Sequence, residues 1–227
     1  MQPDKIYLEK KSAQTGFAED NLEKVWRLTV LLKRITESHI LRDKFLLRGG
    51  TALNFIHFDI PRLSIDIDID FIGALEKEGM EEQKPVLLKE VRNLVSVLEY
   101  KPIENDRGHA SYQFILKYSN LWGIKAEIKM DINWLDRLPI LDKKSLTFKT
   151  EFFEVIPKFN IYTLVLEELM ASKIITFLNR RLPRDFYDVY KIAQGIVPYD
   201  KDLLRKLVVW TGCTEEEHFR KLIKFKS

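Results

Sequence analysis

The chain has 227 residues, 45% of them hydrophobic and 31% charged, which is enough for one sizeable core or two small ones and excludes a largely disordered protein. The net charge of +3 permits a polyanionic partner without requiring one. A single cysteine, Cys213, excludes a disulfide framework, and no signal peptide or membrane-length apolar run is visible. We therefore expect a cytoplasmic protein that does not bind a membrane.

Helix and strand patterns alternate in the chain up to about Pro157. Apolar residues recur every three or four positions in the helical segments and every second position in the strands, and glycine or proline marks most breaks. In chain order we predict a helix over residues 18–41, a strand over 45–48, a Gly49–Gly50 turn, a helix over 52–58 capped by Thr51, a strand over 64–72, a loop to Lys84, a helix over 85–98 opened by Pro85, a hairpin of strands 111–118 and 124–132, and a weaker strand over 146–156.

Beyond Pro157 the pattern predicts helices only. Thr163 is the expected N-cap of the first of these helices, and Pro183 ends it. The change of pattern divides the chain into two expected domains, residues 1–157 and 158–227. The predicted helices cover residues 163–180, 185–194 and 200–210, followed by a short final helix.

Three aspartates alternate with isoleucines in the stretch LSIDIDIDFIG, residues 63–73. In a strand, Asp66, Asp68 and Asp70 share one face with Ser64, about 6.6–7 Å apart. At an effective dielectric constant of about 20, two such charges repel by about 2.4 kcal/mol, a cost that a bound divalent cation removes. The alternative is a solvent-exposed strand face whose acids keep the protein soluble. The uniform isoleucine face favours the metal site.

Two flanking features strengthen the interpretation of the aspartates as a metal site. Gly49 and Gly50 precede a predicted helix, where backbone N–H groups and the helix dipole suit a phosphate, although a glycine pair is more often only a tight turn. Asp131 shares a strand face with Lys129 in IKMDI and is able to complete a carboxylate triad; alternatively it is an edge-strand acid.

These motifs together resemble a known family. Gly-Gly-Thr-Ala-Leu at 49–53 and Arg62-x-Ser64-x-Asp66-Ile67-Asp68 are similar to motifs of the AbiEii/AbiGii toxin family, which includes the MenT-type toxins. A second block, Lys173 in EELMASKIITFLNR followed by RDFYD at 184–188, matches a helix lysine and an Arg-Asp-x-x-Asp segment of that family. The resemblance spans residues 45–190.

The resemblance implies an α+β fold: a polymerase-β-like nucleotidyltransferase core with a small mixed sheet, and a helical C-terminal part that completes the active site. It implies transfer of a nucleotide from an NTP with Mg²⁺ or Mn²⁺ as the cofactor. The implied acceptor is RNA, notably the tRNA 3′ end. The implied protein partner is a cognate antitoxin.

The resemblance also assigns roles to residues of this chain. Asp131 matches the third carboxylate of the wider polymerase-β superfamily, which acts as the base for the attacking hydroxyl. The expected nucleotide-binding residues are Gly49, Gly50, Thr51, Arg62, Ser64, Lys173, Arg184 and Asp185. The expected catalytic residues are Asp66, Asp68, Asp131, Lys173 and Asp188, and the expected metal ligands are Asp66, Asp68 and Asp131.

Physical reasoning alone leaves other roles open for some of these residues. Lys173 is also explained as a helix lysine whose ammonium reaches solvent, and Asp185 as an N-cap. Arg180, near Arg184, receives phosphate in one interpretation and merely complements a helix C-terminus in the other. Asp70 exceeds the motif's required pair, and the Ser-x-Asp spacing favours Asp66 and Asp68.

Two other functions fit the same residues. In the first, the chain transfers the nucleotide to a hydroxyl of a protein or a small molecule. In the second, the chain is a nucleotide-binding module without catalysis.

Overall fold

A computed structural model of the chain describes residues 3–60, 62–150, 153 and 156–214. Over these ranges the helices are α1 Lys5–Thr15, α2 Glu19–Glu37, α3 Gly49–Ala52, which continues as a π-helical turn over Leu53–His57, α4 Lys77–Val97, α5 Leu166–Arg180, α6 Pro183–Ala193 and α7 Lys201–Thr214. The strands are β1 Phe45–Arg48, β2 Asp66–Phe71, β3 Lys101–Asp106, β4 Ser111–Ser119, β5 Lys125–Asn133, β6 Lys144–Phe148 and β7 Phe159–Thr163. No helix in these ranges is long and apolar enough to span a membrane.

The seven strands form one mixed sheet in the order β3-β4-β5-β2-β1-β7-β6. The pairs β2–β5 and β1–β7 are parallel, and the other neighbours are antiparallel. The predicted α+β fold with a mixed sheet is therefore confirmed, and the predicted hairpin is β4–β5.

Strand alternation decides which sheet face carries the core. On β2 and β5, Ile67, Ile69 and Met130 are at most 2% exposed. Helices α2 and α4 pack on that side, where Arg92 of α4 donates to the Tyr112 hydroxyl. The opposite face carries the aspartates. A one-residue slip of either strand would put charges into this core, so the hydrophobic pattern fixes the register.

The chain divides into two compact units. The first comprises the residues up to Pro139 together with Lys143–Thr163, and the second comprises Ile140–Asp142 and the residues from Leu164 onwards. Ile140–Asp142 belongs to the second unit because Glu168 of α5 accepts hydrogen bonds from the backbone N–H groups of Ile140 and Leu141. The predicted domain division at residue 157 stays a prediction.

Several predictions about single elements are wrong, among them the strand over residues 146–156, because β6 begins at Lys144 and ends at Phe148. Pro85 does not open a helix, because α4 begins at Lys77 and Pro85 lies inside it. A proline there removes a backbone hydrogen bond, but Met80, Leu87 and Val91 form one buried stripe across it, and their burial offsets that cost.

The segment after Pro157 does not contain helices only. Strand β7 pairs with β1 and β6, and Thr163 is its last residue, donating its hydroxyl to the Leu47 carbonyl at 2.9 Å. Helix α5 follows, with Val165 at its N-cap and no capping side chain. The short final helix predicted after residue 210 falls mostly on residues 215–227, which lie outside the described ranges.

Candidate active site

The predicted metal ligands lie together on the open face of the sheet. In the parallel β2–β5 pair, Asp68 is the register partner of Asp131, and Asp66 that of Lys129. Neighbouring strands run about 4.8 Å apart, so the Asp68 and Asp131 side chains are adjacent. All three aspartates are half-buried. Two strands that are far apart in sequence thus concentrate carboxylate charge at one place.

Gly49 lies directly against the carboxylate of Asp68. A Cβ atom on Gly49 would come 2.1 Å from Asp68 Oδ2, and the residue has a φ of 71°. Any other residue would be strained by this backbone conformation and would displace the carboxylate. The first glycine of the motif therefore makes room for a candidate metal ligand.

Gly50 serves the neighbouring motif residues in the same way. A Cβ atom on it would lie 2.9 Å from Arg62 Nη2 and 3.0 Å from Ser64 Oγ. The Arg62 guanidinium and the Ser64 hydroxyl therefore rest on the glycine turn. This places donors for phosphate oxygens beside the acids of β2.

Thr51 does not cap a helix as predicted, because α3 begins at Gly49 and Thr51 lies within it. Its buried hydroxyl donates to the Asp66 carbonyl and lies 3.0 Å from Ser64 Oγ. Thr51 therefore ties the glycine turn to the start of β2.

Asp70 differs from the other aspartates of its strand. It is 4% exposed and accepts hydrogen bonds from Arg48 Nη1 and Asn133 Nδ2, each at 2.8 Å. Burial raises the pKa of Asp70, although Arg48 and Asn133 act in the opposite direction. Arg48 and Asn133 also bind Asp136, at 3.2 and 2.7 Å. This network engages the Asp70 carboxylate, which argues against Asp70 as a metal ligand.

A row of amides across the sheet orients Asp131. Gln113 Nε2 donates to Asp131 Oδ1 at 2.9 Å, and Asn105 Nδ2 donates to Gln113 Oε1 at 3.1 Å. The register pairs Asn105 with Gln113 and Gln113 with Asp131. Sequence reasoning missed Gln113 and Asn105, as it missed Arg48 and Asn133. Their only signal was a position on the same strand face as the acids.

The donor set suits a hard divalent cation. Within the described ranges, no three side chains of His, Cys, Asp and Glu already form a metal-binding group. Mg²⁺ commonly takes one or two carboxylates and completes its shell with substrate phosphates and water. The adjacent Asp68 and Asp131, beside the phosphate donors at Gly50, match that requirement.

The second unit holds a separate cluster of buried charges. Lys173 Nζ lies 3.1 Å from Asp185 Oδ1 and 3.3 Å from Asp188 Oδ2. Arg180 donates to both oxygens of Asp185, at 2.7 and 3.1 Å. Lys173 is 7% exposed and both acids are fully buried. The ion pairs thus hold α5 against α6.

This cluster overturns two simpler interpretations. Lys173 is buried rather than solvated, and Asp185 does not cap α6, whose N-cap is Leu182. Burial alone would raise the pKa of Asp185, but the hydrogen bonds and charges of Arg180 and Lys173 outweigh it and lower the pKa. Arg184 is exposed in the first turn of α6.

Known structures share this fold. The chain superimposes on the nucleotidyltransferase toxin MenT4 from Mycobacterium tuberculosis H37Rv with a TM-score of 0.65 at 19% identity, covering 89% of this chain and 68% of MenT4. A crystal structure from H. pylori, described as a nucleotidyltransferase, matches with a TM-score of 0.54 at 17% identity, covering 82% of this chain and 74% of the other. The fold is that of the nucleotidyltransferase toxins.

The sequence identifies the family. The chain belongs to the family described as "Nucleotidyl transferase AbiEii toxin, Type IV TA system", whose sequence model matches residues 30–225. It is thus a nucleotidyltransferase of a toxin–antitoxin system, a class that uses an NTP and a divalent metal and has an antitoxin as its counterpart. No curated protein matches the chain.

Proposed function

We propose that the protein transfers a nucleoside monophosphate from an NTP to the 3′ hydroxyl of a tRNA and releases pyrophosphate. The observation that carries the proposal is the register pairing of Asp68 with Asp131, with Gly49 packed against the Asp68 carboxylate. The motifs that resemble those of tRNA-modifying toxins support the choice of acceptor. Both NTP and tRNA are cytoplasmic, so we place the enzyme in the cytoplasm.

In this proposal Asp66, Asp68 and Asp131 hold Mg²⁺ or Mn²⁺. The bound ion supplies positive charge that neutralises and orients the phosphates. Arg62 and Ser64, which rest on Gly50, donate hydrogen bonds to the triphosphate.

The reaction forms one phosphorus–oxygen bond and breaks another. The acceptor hydroxyl oxygen bonds to the α-phosphorus, while the bond from that phosphorus to the oxygen bridging to the β-phosphate breaks. Pyrophosphate leaves with the electron pair of the broken bond. The hydroxyl proton passes to Asp131, which Gln113 holds in orientation. Positioning and charge neutralisation supply most of the rate.

Residues of the second unit have different parts in the proposal. The Lys173 ammonium already lies between Asp185 and Asp188, so we assign these three residues to positioning α5 and α6. Arg184, exposed in the first turn of α6, is the residue assigned to phosphate binding in this unit.

The test is incubation with each labelled NTP, tRNA and either Mg²⁺ or Mn²⁺. We expect label on the tRNA 3′ end with the wild-type protein, none with excess chelator, and almost none with Asp68→Asn. Equal labelling by Asp68→Asn would overturn the assignment of the site.

Parallel reactions identify the acceptor. Label that appears on protein or on a small molecule while tRNA stays unlabelled would replace the acceptor but keep the chemistry. Growth arrest on expression should disappear with Asp68→Asn. Arrest that persists with this variant would favour a binding module without catalysis.

A further inference from the structure

Four lysines lie on the open face of the sheet, beside the candidate active site. They are Lys101 on β3, Lys117 on β4, and Lys125 and Lys129 on β5, and all are exposed. The register joins Lys101 to Lys117 and places Lys129 beside Asp66. We call these four residues the lysine face. Because strand side chains alternate, the lysine face and the aspartates point to the same side of the sheet.

The lysine face forms no close ion pairs with the acids of the described residues. Over the described part of the chain, none of its four lysines lies in an ion pair, whereas Lys33, Lys77 and Lys84 each pair with an acid. Glu127 is the register partner of Lys117 but forms no ion pair with it there. The face therefore presents positive charge to solvent.

The arrangement also carries a local energetic cost. Lys101 and Lys117 are directly opposite each other on neighbouring strands, and like charges in such pairs are destabilising. Nothing in the packing of this exposed region requires lysine at both positions. A charge pattern that costs stability and fills no core is typical of a binding surface.

A groove lies at one end of this face. Its volume is about 800 Å³, and it is lined by Lys24, Lys101, Lys117 and Lys125 among others. Arg27 also lines it but is held by Glu23 and stacks on Tyr118. Glu99 and Glu127 are the two acids of the lining, so the cations outnumber them. The excess of cations in its lining suits a polyanion.

The distance to the active site fits a nucleic acid strand. Gln113, the register partner of Asp131, precedes Lys117 by four residues on β4. Four residues of strand span about 13 Å. With roughly 3.4 Å of helix axis per nucleotide, this is about four nucleotides of a stacked strand.

We propose that the lysine face and its groove bind the phosphate backbone of the acceptor RNA a few nucleotides before its 3′ end. The inference rests on the proposed function, because it assumes that the 3′ hydroxyl is at Asp68 and Asp131. It adds the path by which the acceptor strand reaches the carboxylates. Lys129, closest to the acids, contacts the strand nearest the 3′ end.

Binding is measured in an inactive background, Asp68→Asn, so that catalysis does not alter the RNA. The test variant adds Lys101→Gln, Lys117→Gln and Lys125→Gln. The matched control adds Lys5→Gln, Lys10→Gln and Lys89→Gln, three exposed helix lysines with the same change in charge. The affinity for tRNA is measured for each protein over a series of salt concentrations.

We expect the test variant to bind tRNA roughly tenfold to 100-fold more weakly at 0.1 M salt. Its slope of log affinity against log salt should fall by about 2, since each phosphate contact to a single strand contributes about 0.7. The control should match the parent in affinity and slope. The thermal midpoint of the test variant should not fall, because the repulsion between the charges of Lys101 and Lys117 is removed.

Unchanged affinity and slope in the test variant would overturn the inference, and so would an equal loss in the control. The inference would also fail if the lysine substitutions released a protein partner while tRNA affinity stayed unchanged. Failure of the proposed function is a separate result: wild-type protein would then transfer no label to tRNA. The binding series, made without catalysis, still decides the role of the lysine face.

Discussion

Two groups of acids in this protein differ in their burial and in their partners. In the second unit, Asp185 and Asp188 are fully buried and face the ammonium of Lys173, and Asp185 also receives Arg180. On the sheet, Asp66, Asp68 and Asp131 stay half-buried; Gly49 packs against Asp68, and Gln113 donates to Asp131. Fully buried acids that pair with cations hold elements together, whereas half-buried acids concentrated on one sheet face suit a cation from outside.

Asp70 shows that the surroundings matter more than the motif. It shares a strand and a face with Asp68, yet its bonds to Arg48 and Asn133 make it resemble the acids of the second unit. The DIDID stretch therefore contains both kinds of acid. Substitutions that neutralise one acid at a time separate them.

The largest expected effect is on catalysis by Asp68→Asn. Loss of a carboxylate that faces Asp131 should reduce nucleotide transfer by about 10³-fold, with stability unchanged or slightly raised because repulsion is relieved. Initial rates of labelling and denaturant unfolding measure the two quantities. Asp70→Asn is the matched control: it should lose far less activity and more stability, since it weakens the ion pair with Arg48. The reverse pattern would exchange the roles of the two aspartates.

The two glycines of the turn should differ in their sensitivity. In Gly49→Ala the new Cβ atom would lie 2.1 Å from Asp68 Oδ2, and alanine would have to adopt a φ of 71°. The substitution should therefore cost about 1–3 kcal/mol of strain and reduce transfer by about 10²-fold. Gly50→Ala meets only the ends of Arg62 and Ser64, at 2.9 and 3.0 Å. These side chains rotate away, so the loss should be smaller. The rates of the two variants, each with a thermal midpoint, test this order.

In the second unit the main effect should be on stability. Lys173→Met leaves two buried acids with fewer cations and should lower the free energy of unfolding by about 3–5 kcal/mol. Lys206→Met, at an exposed position of α7, is the control and should change it little. Denaturant unfolding measures both. A stable Lys173→Met protein that has lost transfer activity would show instead that the ammonium acts on the substrate.

The pH dependence of stability should have opposite signs for Asp185 and Asp70. The lowered pKa of Asp185 means that its charge stabilises the fold above about pH 3.9, and this stabilisation is lost as the pH falls through the folded value. The raised pKa of Asp70 means that its contribution is fully present below about pH 3.9 and is lost as the pH rises through the folded value.

Unfolding of Asp185→Asn and Asp70→Asn, each compared with the wild type from about pH 3 to pH 7, measures this difference. The advantage of wild type over Asp185→Asn should shrink on acidification. Its advantage over Asp70→Asn should grow. A common direction for both acids would contradict the opposite pKa shifts of Asp70 and Asp185.

The sequence predicts the sheet half of the fold well, because burial there follows a period of two. Strand β2 and the β4–β5 hairpin have nearly the predicted bounds, and the acids share the predicted face. Once Ile67 and Met130 must face the core, the positions of Asp68 and Asp131 follow. The pattern does not predict that Asp68 and Asp131 lie side by side, because that depends on which strands are neighbours in the sheet.

Predictions based on local rules for proline and capping were less successful. Pro85, Thr51, Thr163 and Asp185 each satisfy a local rule for a helix end, but tertiary contacts decide all four positions. Arg48, Asn133 and Gln113 were missed for a related reason. Each acts through a partner at least 18 positions away in the chain, which no local pattern shows.

The smallest expected effect tests the amide row that ends at Asp131. Gln113→Leu should reduce transfer by about tenfold and raise the metal concentration needed for half-maximal rate, because Asp131 loses its orienting donor. Packing changes could lower the rate as well, so an exposed, isosteric change is more telling. Asn105→Asp exchanges the donor for an acceptor, which turns the Gln113 amide so that its oxygen faces Asp131.

Asn105→Asp should therefore lower the rate about twofold to fivefold, with a higher metal requirement and no loss of stability. Asn93→Asp, which adds the same charge at an exposed position of α4, should leave both quantities unchanged. Asn105 is an exposed residue on the edge strand β3, one strand beyond Gln113. An effect of Asn105→Asp on metal dependence has no route through packing. It would show that Asp131 depends on the orientation of neutral amides, whereas Asp185 and Asp188 depend on the charge of Lys173.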